Sequence, residues 1–177
     1  MKTTALHLVF TCLLLPSFFL LQRPADVKGW STTTWGMTEQ QVIEMFKGKA
    51  VKVKEPEERK EGFFLKIKDW EIGRQNYEVS FRFEPRKRTL TAVTLVPFEK
   101  NHDTLVDIAQ DLEQQLVRKY GQASHRKSKP RDENLTLDWN FSSTIIELTL
   151  ISGRPTLDFV TLFLSYTING KSDLDKL

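Results

Sequence analysis

The 177-residue chain predicts an α+β protein, with two helices packed on one face of a roughly six-stranded antiparallel sheet. Three observations carry that expectation. Two amphipathic stretches, residues 38–48 and 103–121, each end in a glycine, as helices commonly do. Each is followed by three strand-like runs separated by short turn signals, the pattern of an antiparallel meander. The β/α alternation of a parallel nucleotide-binding fold is absent. The expected organisation is a tandem one: helix plus three-stranded meander over residues 30–100, and again over 101–168.

Residues 1–29 stand apart as an expected secretion signal. Lys2 gives a positive start, and residues 5–21 are almost continuously apolar until Gln22, Arg23 and Pro24 interrupt them. The run is at the lower limit of what spans a bilayer, so an uncleaved signal would leave the protein membrane-anchored. A cut before Trp30 would release a chain with no integral membrane segment. The single cysteine, Cys12, lies inside the apolar run rather than at its end, which argues against lipidation. The released chain then has no thiol for a disulfide, a nucleophile or a metal site, although it is exported. That combination suits the periplasm or medium of a bacterium. The whole chain carries +3, but the signal removes three bases and one acid, leaving about +1. Nucleic-acid binding through overall charge is not expected.

The first helix opens at residue 38. Thr38 is a suitable N-cap, Gln41 completes a capping box, and Met37 with Val42 can form a hydrophobic staple. Residues 49–61, charged and containing Pro56, read as a solvated connection. Strands follow at 63–70, 77–83 and 89–96; in the second, Tyr77, Val79, Phe81 and Phe83 alternate strictly with polar residues. The second helix, 103–120, carries Leu105, Ile108, Leu112, Leu116 and Tyr120 on one stripe. A basic loop at 122–133 leads to strands at 135–141, 144–151 and 158–166, and residues 169–177 read as a polar tail.

The stretch Gly36-Met37-Thr38-Glu39-Gln40-Gln41-Val42, with its glycine-containing exit, resembles the opening of the small lipoprotein subunit of the outer-membrane β-barrel assembly machine. The tandem helix-plus-meander arrangement is similar to that of the β-lactamase-inhibitor protein. These resemblances imply a non-enzymatic exported protein that contacts another macromolecule. The lipid-bearing cysteine of the first family and the disulfides of the second are missing here.

No catalytic, cofactor-binding or metal-ligating constellation is expected. Outside the signal only His102 and His125 remain, both read as exposed and lacking partners at ligand spacing. Ser142 and Ser143 lack a nucleophile-elbow context, and no glycine-rich phosphate loop is present. If Phe63, Leu65, Ile67 and the Tyr77–Phe83 alternation face the helices, then Phe64, Lys66, Lys68, Trp70 and Arg82 point away from them. By the same alternation Phe159 and Phe163 join them. Aromatics among cationic stems make a protein-binding surface, so these seven are the candidate partner-binding residues. The segment around Trp30 or a dimer partner could instead cover that face. The alternative function is a binder of a small apolar or lipid-like ligand between sheet and helices.

Overall fold

The computed structural model describes residues 25–129, 134–153 and 159–170. The apolar run at 5–21, Arg131, the turn residues Arg154 and Pro155, and all of the polar tail beyond Gly170 lie outside them. In chain order the elements are α1 (Glu39–Met45), β1 (Val51–Lys52), α2 (Pro56–Lys60), β2 (Phe63–Ile72), β3 (Gln75–Phe83) and β4 (Leu90–Pro97). Then follow α3 (His102–Tyr120), β5 (His125–Lys129), β6 (Asn134–Asn140), β7 (Thr144–Ser152) and β8 (Val160–Ile168).

The protein is α+β, and its sheet is larger than the sequence predicts: eight strands in the order β1-β2-β3-β4-β8-β7-β6-β5. Each half is a helix followed by four strands, running from an outer edge to the centre, and the last strands of both halves, β4 and β8, pair antiparallel. The two additional strands are the edges. β1 lies in the lysine-rich connection and β5 in the basic loop, where no apolar alternation announces them. An edge strand needs no continuous buried face, and charged side chains there discourage pairing with another chain. The connection also holds the short α2, which has Pro56 in its first turn, Glu57 and Glu58 after it, and Arg59 and Lys60 at its end.

The helix ends follow their sequence signals. Thr38 and Gln41 form the capping box of α1, and Gly48 takes φ +81° while its N–H reaches the Ile43 carbonyl at 3.2 Å. Asn101 caps α3, whose buried stripe is Leu105, Ile108, Leu112 and Leu116. Both helices cover the same sheet face: Val42 of α1, its C-cap Phe46 and the α3 stripe share one core with Val79, Phe81, Leu148 and Leu164. His102, expected to be exposed, is buried at the start of α3, with Nδ1 3.1 Å from Asp103 Oδ1.

The segment before α1 straps the two halves together. Trp30 is in ring contact with Phe46, Trp70 and Phe81 of the first half. The Thr144 hydroxyl, in the second half, donates to the Val27 carbonyl and accepts the Trp35 indole N–H at 2.7 Å. Asp26 accepts from the Ser143 amide at 2.9 Å and the Ser143 hydroxyl at 2.6 Å. Slight burial pushes the Asp26 carboxyl up, but these bonds and nearby Lys28 outweigh it and hold it below the usual carboxylate range. Trp30 thus belongs to the core on the helix side and does not cover the other face.

Candidate functional site

The face opposite the helices is laid out by strand register. One transverse row crosses every strand: Val51, Lys66, Ser80, Thr94, Ser165, Glu147, Asp138 and His125 are successive cross-strand partners. On either side of it stand Arg82, Ala92, Thr167 and Ile145, then Phe163, Thr149 and Thr136. The centre of this face is therefore hydroxyl-bearing, and its charges lie toward the two edges.

The seven predicted residues divide between the two faces, because β2 carries a register irregularity near each end. The first lies between Phe63 and Leu65, and the second between Ile67 and Trp70. Each β-bulge inserts a residue and so reverses the alternation beyond it. Phe64, expected on the open face, points into the core instead, 5% exposed, and its ring lies 6.2 Å from that of Phe83. Arg88 and Arg59 stand 3.9 and 5.2 Å from its centroid. Trp70, also expected outward, packs against Trp30 and Phe46 at 5.2 and 5.6 Å. Phe63, expected inward, takes the outer side, where Arg82 lies over its ring at 5.7 Å. Gly62 precedes the first bulge with a φ of +90°, which side chains rarely adopt, and a Cβ there would press on the Phe83 carbonyl oxygen at 3.1 Å.

The other five keep their expected side or stay exposed. Lys66 is bound by Glu58 at 2.8 Å and Glu78 at 2.9 Å. Partial burial works against its charge, but those two hydrogen bonds prevail and raise its pKa. Lys68 and Arg82 are exposed, and the Arg82 guanidinium donates to the Glu61 carbonyl at 2.9 Å. Phe163 is half-buried opposite Thr149, and Phe159 is 47% exposed just before β8.

Sequence reasoning also missed a pair of acids. Asp138 and Glu147 are direct cross-strand neighbours, and Asp138 Oδ1 is buried without a hydrogen-bond partner among the described residues. Cross-strand pairs of opposite charge contribute roughly 0.2–1 kcal/mol, and like charges directly opposite are destabilising. Only the register, which the sequence does not give, could have revealed them. His125 lies beside Asp138 on the edge strand and is exposed. No group of three or more His, Cys, Asp or Glu suited to a metal ion occurs among the described residues.

On the helix side a half-open groove of about 260 Å³ lies between the strap, the end of β2 and α3. Trp30, Trp70, Tyr120 and Tyr166 form its aromatic walls. Burial raises the Tyr166 hydroxyl pKa, as does its hydrogen-bonded neighbour Tyr120. Further along α3, burial, with Asp111 nearby, pushes the Tyr77 hydroxyl up to about 12.

Fold and site together define an α+β protein with one face devoted to its core and the other to a patterned polar surface. No protein-family model and no curated protein matches the chain. Among solved structures it is similar to a DUF4309 family protein, YjgB, from Bacillus subtilis, at 12% identity and a TM-score of 0.41. That likeness covers 75% of this chain and 78% of the other, and it is too distant to bear on the site. Among the described residues, no helix is long and apolar enough to cross a membrane.

Proposed function

We propose that this is an exported, non-enzymatic binding protein of the bacterial envelope or secretome, made of two related helix-plus-meander halves, that holds a macromolecular partner on its open sheet face. One observation carries the reading: the row from Val51 to His125 runs unbroken through eight strands. Eight strands at about 4.8 Å spacing span ~34 Å, and six residues along a strand add ~20 Å. That platform approaches the ~800 Å² per partner of a standard protein interface. Phe63, Lys66, Arg82, Phe163 and the exposed Ile151 and Phe159 would supply the larger contacts around small hydroxyl side chains, with Lys68 at the margin. Phe64 and Trp70 drop out of the contact set because they serve the core. Export rests on Lys2 and the apolar run that follows. Bonds made by Asp26, Val27 and Lys28 to the folded body favour a cut ahead of Asp26.

A charge change in the middle of the row tests it. Ser165→Arg puts a long cation among the small hydroxyl side chains at the centre of the row and leaves the core untouched. The released chain carrying a photo-crosslinker at Thr94 should join one dominant partner in the native envelope or medium. Ser165→Arg should reduce that product at least tenfold. Undiminished crosslinking, or crosslinks spread over many proteins in proportion to abundance, would overturn the reading.

A further inference from the structure

We infer that the groove between the strap and α3 is a second binding site, on the opposite side of the sheet, for a small anionic amphiphile with a single short apolar chain. The walls supply the apolar half of the argument. Trp30 and Trp70 meet edge to face at 5.2 Å, while Leu116 and Leu164 line the groove below the two tyrosines. A hollow of about 260 Å³ falls just below the ~300–1,000 Å³ of sites for drug-sized ligands, so one short chain or one ring fits and a bulky molecule does not.

The sign of the head group follows from what lines the groove. Lys119 is the only charged side chain there among the described residues, and no carboxylate joins it. Its ammonium stands 5.0 Å from the Tyr120 ring, so that ring's face is already taken by a cation, and a cationic ligand would meet its like charge beside it. Acids border two neighbouring hollows instead, Asp69 and Glu71 lying with Lys49 in the one that shares Trp70 with the groove. Asp107 and Asp111 border the other, of about 560 Å³, which meets the groove at Ile72 and Gln115. Asp111 is eight residues before Lys119, about 12 Å along the helix at 1.5 Å per residue. An anionic head is thus drawn to Lys119, and the chain is directed between the tryptophans. The carbonyl end of α3 opposes this, but its fractional charge is smaller than a full ammonium, and the Trp139 indole already binds the Gly121 carbonyl at 2.8 Å.

Trp30 and Trp70 are built-in reporters. Tryptophan emission and calorimetric titration of the full chain with decanoate, decanol and decyltrimethylammonium would separate the possibilities. Decanoate should bind saturably and at least tenfold more tightly than either of the others. Lys119→Ala should weaken it about fivefold, Lys119→Arg should restore it, and Gln115→Phe at the rim should weaken all binding at least tenfold. Tightest binding of the ammonium compound, equal binding of all three, indifference to Lys119→Ala, or no saturable change up to about 1 mM would each overturn the inference. None of these results depends on the partner-binding face.

Discussion

The two faces of the sheet are built from the same strands and do different work. On the helix side, Phe81, Leu95, Leu148 and Leu164 merge with Trp30, Phe46 and α3 in one core. On the other, Ser80, Thr94, Ser165 and Thr136 stand in rows, flanked by Lys66 with its two glutamates and by the Asp138–Glu147 pair. Large apolar residues concentrate where helices exclude water, and β2 spends two bulges to send Phe64 and Trp70 there. Bulky aromatics in a strand are therefore poor guides to a binding face when the strand is irregular.

Substitutions can break this contrast, beginning with the largest expected effect. Phe81→Ala removes a ring in contact with Trp30 and Phe46 and should destabilise by about 3–5 kcal/mol, seen as a lower urea midpoint, whereas Thr94→Ala should stay within about 0.5 kcal/mol. Trp70→Ala should cost roughly 2–3 kcal/mol, less than a fully buried ring because Trp70 is only partly buried, with a change in near-UV dichroism. Equal stability would return Trp70 to the open face. Thr144→Val strands the Trp35 indole and the Val27 carbonyl and should cost about 1–3 kcal/mol in the same assay.

The side assignments show what sequence could and could not reveal. The Tyr77–Phe83 alternation was legible because β3 is paired on both flanks and one of its faces is fully buried. The sides of Phe64 and Trp70 were not, since each inserted residue inverts the alternation on the far side of it from Leu65–Ile67 and leaves no compositional trace beyond Gly62. Lys66 could be placed because it lies between the two bulges, and Arg82 and Phe163 because burial alternates along their own strands.

Two smaller effects sharpen the comparison. Tyr77 keeps its proton in the fold until about pH 12 against an ordinary 10.0, so its contribution is intact below pH 10 and lost as pH rises toward 12. Urea midpoints should fall across that window, and Tyr77→Phe should flatten part of the fall. On the open face, Asp138→Asn relieves like-charge contact with Glu147 and should raise stability by roughly 0.2–1 kcal/mol at low salt, a gain that added salt diminishes.

The sequence by itself determined the two capped helices, the antiparallel habit of the strands and the absence of cysteine chemistry beyond residue 12. Each follows from local periodicity, capping or composition. Only the tertiary structure decided that the sheet has eight strands, that the segment before the first helix fastens the halves, and which side chains reach the open face. Those outcomes depend on register and on contacts between distant segments, Thr144 with Val27 and Gly62 with Phe83 among them, where hydrogen bonds to backbone carbonyls leave no pattern in the chain.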